Sequence, residues 1–177
     1  GFVNMLIKLI GEEKPEYIAV AFDVHHPTFR HGMFADYKGT RKPMPDDLRP
    51  QIPLLKEVLS EMGIYTVEKP GFEADDLIGT IAKGTSVKTI IITGDRDSFQ
   101  LVDDETEVHF TKRGISDVDV LNIDNFTLKT GITPMQVIDL KALMGDSSDN
   151  IPGVKGIGEK TALTMVQTYG DIDNLYA

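Results

Sequence analysis

Thr89-Ile90-Ile91-Ile92-Thr93 leads directly into Gly94-Asp95-Arg96-Asp97. Every residue of the run is β-branched and its centre is apolar, which suits a strand covered on both faces. The glycine and paired acids that close it lie where a parallel α/β sheet carries its working residues, at the carboxyl end of a strand. Tyr17-Ile18-Ala19-Val20-Ala21-Phe22 repeats the pattern and ends at Asp23, and Ile64-Tyr65-Thr66-Val67 and Val108-His109-Phe110 are shorter versions of it. Between these runs, Leu54, Leu55, Val58, Leu59 and Met62 recur at helical spacing, as do Ala74, Leu77, Ile78, Ile81 and Ala82. The alternation predicts an α/β fold, a parallel sheet flanked by helices.

From Asn125 onward the pattern changes to helices joined by short glycine-rich turns. Thr133 reads as an N-cap with Pro134 at the first helical position, for a helix running to about Met144. After a loop from Gly145 to Ile151 come Pro152-Gly153-Val154-Lys155-Gly156-Ile157-Gly158 and a second helix from about Glu159 to Tyr169. The division expected is 1–124 for the α/β part and 125–177 for a helical subdomain. The opening residues Gly1 to Leu6 read as the middle of an amphipathic helix and not as a targeting segment, so the sequence is expected to be a piece of a longer chain.

No apolar run approaches the roughly 20 residues of a membrane-spanning helix, which argues against a membrane protein. The chain has no cysteine, so disulfides and thiolate-bound metals are excluded and any metal must take oxygen or imidazole ligands. A reducing, intracellular setting fits this. Acidic side chains outnumber basic ones 28 to 18, for a net charge of −10; as a sum this opposes a nucleic-acid partner. Distribution reverses the inference. From Arg30 to Lys56 six basic residues (Arg30, Lys38, Arg41, Lys42, Arg49 and Lys56) stand against three acids.

The acids gather in four places: Asp23; Glu73, Asp75 and Asp76; Asp95 and Asp97; Asp146 and Asp149. Brought into one small volume they would raise each other's pKa values unless cations intervened. Two divalent ions with hard oxygen ligands, magnesium or manganese, suit such a set and the hydrolysis of a phosphodiester. Each group alone has a plainer reading. Asp75 and Asp76 favour the dipole of a helix start, Asp95 and Asp97 suit an Asx turn with an N-cap, Asp23 suits a cap, and Asp146 and Asp149 suit a polar loop. Glu73 and Asp76 share a helical face, and Asp75 joins them only where Glu73 is still extended.

The joint pattern is more specific. Ala21-Phe22-Asp23, Pro27-Thr28-Phe29-Arg30, Asp36-Tyr37-Lys38-Gly39-Thr40-Arg41, Gly71-Phe72-Glu73-Ala74-Asp75-Asp76, Thr93-Gly94-Asp95-Arg96-Asp97, Gly145-Asp146-Ser147-Ser148-Asp149-Asn150 and Gly153-Val154-Lys155-Gly156-Ile157-Gly158-Glu159-Lys160 follow one another in this order. In motif order and approximate spacing the chain resembles the bacterial 5′-3′ exonuclease and flap endonuclease family over nearly its whole length. The resemblance implies a PIN-like sheet with a C-terminal helix-hairpin-helix subdomain. It also implies two divalent cations held by Asp23, Glu73, Asp75, Asp76, Asp95, Asp97, Asp146 and Asp149, and cleavage near the 5′ end of a strand. One departure stands out: the family places an aspartate after an opening strand, and this sequence begins downstream of it.

Residues 25–53 carry five prolines with the basic side chains. Read alone, the segment is a solvated loop; by resemblance it is the family's arch, with Lys38 and Arg41 at the scissile phosphate and Arg30 and Lys42 supporting on DNA, while Tyr37, Phe29 and Phe34 are candidates to stack on bases, with core packing an equal reading for Phe29. Gly153, Gly156 and Gly158 around Lys155 permit tight turns with exposed amides. By resemblance they and Lys160 grip the duplex backbone, and a potassium ion sits on the hairpin carbonyls. The implied partner is branched or nicked DNA with a 5′ end or flap, RNA primers included, with a covalently linked polymerase domain as a further expectation. The implied setting is a monomer in a bacterial cytoplasm. Two rival readings remain at this point: a DNA-binding module of the same fold that does not cut, and a PIN-type ribonuclease.

Overall fold

The amphipathic opening folds as expected into helix α1 (Phe2–Glu13), which ends where Lys14 adopts a left-handed conformation at φ 47°. The computed structural model describes residues 1–112 and 117–177. They form two compact units that interleave along the sequence, the first made of 1–32 and 42–78, the second of 33–41 and 79–177.

In the first unit, β1 (Ala19–Ala21) pairs in parallel with β2 (Tyr65–Val67), with Ala19 opposite Tyr65 and Ala21 opposite Val67. Leu6 of α1, Leu59 of α3 (Gln51–Glu61) and Ile64 form its core, with Ile10, Ile18, Val20, Phe22 and Leu55 packed against them. The expectation that Tyr17 to Phe22 is buried on both faces is not met. Only three of its residues form a strand, none of them fully buried, and Tyr17 is 79% exposed. The sheet here has two strands, too few to cover both faces. Helix α2 (Phe29–Met33) and helix α4 (Ala74–Gly84) each begin in this unit and end in the second.

The second unit is built on β3 (Thr89–Thr93), the strand read from sequence, with Ile91 buried at its centre. It pairs in parallel with β4 (Thr106–Thr111), and β5 (Val118–Leu121) pairs antiparallel to β4. The sheet is therefore mixed, parallel between β3 and β4 as expected and antiparallel at β5. The reversal follows from a connection between β4 and β5 too short for a parallel crossover. After β3 comes a 3-10 helix (Arg96–Leu101), whose Phe99 meets Phe110 and Phe126 edge-on at 5.3 and 6.0 Å.

Phe126 belongs to α5 (Ile123–Thr130), which opens with a reciprocal capping box between Asn122 and Asn125. Helix α6 (Gln136–Met144) starts later than Thr133-Pro134 suggested. Thr133 supplies no side-chain cap; its N–H donates instead to the Gln136 carboxamide oxygen at 2.9 Å. Helix α7 (Glu159–Tyr169) matches its expected bounds, and α8 (Ile172–Tyr176) follows. The loop expected from Gly145 to Ile151 proves to be closed by two very short antiparallel strands, β6 (Gly145–Asp146) and β7 (Ile151–Pro152).

Glycine is required on both sides of that closure. A Cβ on Gly145, at φ 74°, would lie 2.2 Å from the Gly153 nitrogen, and one on Gly153 would lie 2.2 Å from the Met144 carbonyl carbon. These neighbours are backbone and cannot yield without parting the strands. Gly145→Ala is expected to destabilise the chain by about 2 kcal/mol or more, from overpacking added to a left-handed backbone. Urea unfolding checks this; an unchanged midpoint would refute the closure.

Candidate active site

In the first unit the acids lie around the start of α4. Asp23, just past β1, accepts the Ala74 N–H on Oδ1 at 2.8 Å and so caps a helix 51 residues away. Glu73 precedes α4 and is not helical; its own N–H donates to Asp76 Oδ2 at 2.8 Å. Arg30 answers this negative charge with a two-pronged contact. Its Nη1 and Nη2 donate to Asp76 Oδ2 and Oδ1, both at 2.8 Å, and Nη1 stands 3.8 Å from Glu73. Asp75 lies in the first turn of α4 and faces outward. The guanidinium is steadied by the Phe29 ring 4.5 Å away.

In the second unit three elements meet on one ammonium. Lys141, in the last turn of α6, places Nζ 2.6 Å from Asp146 Oδ2 and 2.7 Å from Asp97 Oδ1. Asp146 Oδ1 accepts from the Ser148 N–H at 2.8 Å, the Ser148 hydroxyl at 2.6 Å and the Asp149 N–H at 3.3 Å. Burial alone would raise the Asp146 pKa, but the hydrogen bonds from Lys141 and Ser148 and the Lys141 charge outweigh it and hold the carboxyl at about 2. For Asp97 burial prevails over the same lysine, and its pKa is raised. Lys141 itself, although burial opposes its charge, is pushed up by its two partners. Asp95 behaves as its plainer reading held, as N-cap of the 3-10 helix accepting the Asp97 N–H at 2.9 Å.

Asp149 is the anchor of residues 33–41, which share this unit. Its backbone carbonyl accepts the Lys38 N–H at 2.8 Å, and its Oδ1 accepts from Arg41 Nη2 at 2.5 Å. Its Oδ2 accepts from the Tyr37 hydroxyl at 3.0 Å and stands 3.9 Å from Lys38 Nζ. Asn150 adds a hydrogen bond to the Asp36 carbonyl at 2.8 Å. Tyr37 thus departs from its expected part on DNA. Its side chain is 4% exposed, which removes the ring from any stacking surface and makes it a support of the acidic loop.

The remaining basic candidates are exposed: Lys42 in the first unit, and Lys155 and Lys160 in the second. Val154 to Ile157 form a turn closed by the Ile157 N–H on the Val154 carbonyl at 3.0 Å, with Gly156 at φ 86°, the conformation a type II turn demands of its third residue. Gly158 stands at the N-cap of α7 with no side chain to occupy its amides. Gly153 has the packing duty described above.

Among the described residues no three Asp, Glu or His side chains stand together in a way that could hold a metal ion. The carboxylates instead spend their oxygens on Arg30, Lys141 and Arg41. The donor set nevertheless suits a hard cation. It is made of oxygen alone, and the Asp97 Oδ1 that faces Lys141 at 2.7 Å is buried. Lys141, which joins Asp97 and Asp146, is a residue that sequence reasoning passed over.

These environments give the two acids opposite effects on stability. The lowered Asp146 pKa contributes stability present above about pH 4 and lost as pH falls toward 2; the raised Asp97 pKa costs stability once the group ionises and returns it on acidification. In EDTA at pH 7, Asp146→Asn is expected to lower stability by roughly 1–2 kcal/mol after allowance for solvent screening, and Asp97→Asn to raise it. Thermal melts at pH 7 and pH 3 check the signs, with both differences shrinking at the lower pH.

The chain matches known families along its whole length. The family model for the 5′-3′ exonuclease N-terminal resolvase-like domain covers residues 1–131, and that for the 5′-3′ exonuclease C-terminal SAM fold covers 132–177. DNA polymerase I of Lactococcus lactis is 46% identical over 99% of this chain, and that of Bacillus subtilis 45% over 99%. The chain spans only 21% and 20% of those relatives' own lengths. Among solved structures, the bacteriophage T5 flap endonuclease in a pseudo-enzyme–product complex with DNA and metal ions superposes with a TM-score of 0.79 at 24% identity, over 98% of this chain and 68% of that one. The catalytic core of Rad2 with DNA substrate gives 0.60 at 22%, over 98% and 54%. The fold is thus the PIN-like resolvase fold followed by a SAM-like helical part, and the chain belongs to the 5′-3′ exonuclease family.

Proposed function

We propose that this chain is a structure-specific nuclease part that hydrolyses phosphodiester bonds near the 5′ end of DNA, at flaps and nicks, RNA primer strands included. The observation that carries the reading is the docking of Lys38 and Arg41 on the loop of Asp146 and Asp149. Groups suited to phosphate and groups suited to a hard cation share one place in the second unit. The similarity to DNA polymerase I supports action beside a polymerase domain.

Asp95, Asp97, Asp146 and Asp149 in the second unit and Asp23, Glu73, Asp75 and Asp76 in the first would hold two divalent cations, magnesium or manganese. Such ions supply activation of water and neutralisation of charge on the phosphodiester. Lys38 and Arg41 bind the phosphate oxygens and answer the charge that develops on them. Arg30 orients Asp76 through its two hydrogen bonds, and Lys42 adds positive charge beside the path of the strand. Lys155, Lys160 and the amides at Gly156 and Gly158 hold duplex phosphates without reading sequence. The hairpin carbonyls would bind a potassium ion.

Asp95→Ala and Asp146→Ala are each expected to abolish magnesium-dependent cleavage of a labelled 5′-flap DNA by the intact protein while retaining binding; undiminished turnover in both would refute their roles. Lys38→Ala is expected to lower kcat by about 100-fold with a modest change in affinity. Lys155→Ala and Lys160→Ala should each weaken binding to all sequences alike and reduce the salt slope by about 1, measured by fluorescence anisotropy at several salt concentrations.

A further inference from the structure

One lysine occupies the position between two acids assigned to cation binding. Asp97 Oδ1 and Asp146 Oδ2, carried by the 3-10 helix and β6, face the same Lys141 Nζ at 2.7 and 2.6 Å. Lys141 side-chain exposure is 30%, so the ion pair is neither a freely solvated surface contact nor a sealed core one. Asp146 Oδ1 is satisfied by Ser148 and the Asp149 N–H, whereas the buried Asp97 Oδ1 faces the Lys141 ammonium.

We propose that Lys141 is a positioning residue that holds Asp97 and Asp146 to a common point and, by occupying the place between their facing oxygens, sets how readily a divalent cation enters there. This rests on the metal-ligand reading of Asp97 and Asp146 given above. Two effects follow from the geometry and oppose each other. As a tether, Lys141 keeps the 3-10 helix and the acidic loop in register. As a unit positive charge among Asp95, Asp97 and Asp146, it cuts their nominal charge from −3 to −2 and must yield its place to an arriving cation. At contact distance and partial burial the charge effect outweighs the tether, because Asp146 keeps its three loop donors when the lysine is gone.

The sign separates this role from a merely structural one, since loosened acids would bind a cation less tightly. Mn²⁺ binding to the chain without DNA is measured by isothermal titration and by electron paramagnetic resonance, with folding checked by circular dichroism. Lys141→Met is expected to bind Mn²⁺ at least about fivefold more tightly than wild type, Lys141→Arg to bind as wild type does, and the gain to vanish in Lys141→Met with Asp97→Asn. Lys141→Gln serves where the methionine variant does not fold. In the unaltered protein, acylation of Lys141 followed by mass spectrometry should rise on addition of Mg²⁺. Unchanged or weaker Mn²⁺ binding in a folded charge-removing variant, or Lys141 labelling indifferent to Mg²⁺, overturns the proposal. Wild-type Mn²⁺ binding that ignores both Asp97→Asn and Asp146→Asn overturns the ligand reading beneath it.

Discussion

Carboxylates cannot be gathered at strand ends and helix starts unless positive charge answers them, because each ionised neighbour makes the next harder to ionise. In this chain the answer comes from named side chains: Arg30 for Asp76, Lys141 for Asp97 and Asp146, Arg41 for Asp149. Arg30 is carried by α2, Lys141 by α6 and Arg41 by the segment 33–41 that is tied to the acidic loop. An Arg or Lys partner at 2.5–2.8 Å orients a carboxylate as well as neutralising it, so the acids are held in defined directions before any ligand arrives.

The acidic loop shows how tightly this is built. Its backbone is pinned at one end by the Gly145 and Gly153 crossing, where no side chain fits. In the middle, Lys38 N–H on the Asp149 carbonyl and Asn150 on the Asp36 carbonyl tie it to residues 33–41. On the far side the Val154 N–H returns to the Leu143 carbonyl at 2.8 Å, joining the hairpin turn to the end of α6. The acidic loop, residues 36–38 and the turn at Val154 are consequently neighbours along a few hydrogen bonds. The left-handed backbone of Lys38 and Asn150, at φ 54° and 58°, is the strain that this arrangement carries.

Much of this was legible from residue order. The run Thr89 to Thr93 forms β3, Glu159 to Tyr169 forms α7, and the apolar spacing at Ala74, Leu77 and Ile78 marks α4. The acids were legible because position at a strand end or helix start marks them one at a time. Their partners were not. Lys141 in the last turn of a helix reads as a complement to the dipole, and Tyr37 in a basic stretch reads as a stacking ring. Only tertiary structure reveals that the first reaches Asp97 and Asp146 and that the second is buried against Asp149. The strands β5, β6 and β7 were missed because runs of two to four residues carry too little periodicity to stand out. The regular part of α6 begins at Gln136 because Thr133 to Met135 form a tight opening turn, in which Gln136 accepts from the Thr133 N–H as one half of a capping box.

The pairing also changes what the basic window means. Six bases against three acids between Arg30 and Lys56 suggests a surface waiting for phosphate, but Arg30 and Arg41 are engaged with Asp76 and Asp149. A phosphate approaching Arg41 competes with Asp149 for the same guanidinium. The attraction it gains is therefore the difference between two charge-assisted contacts and not the whole of one. Salt weakens the exposed phosphate contact more than the partly buried carboxylate one. For the nucleic-acid contact proposed above, local acid–base pairing would set the pull of this segment more than the count of lysines and arginines or the net charge of −10.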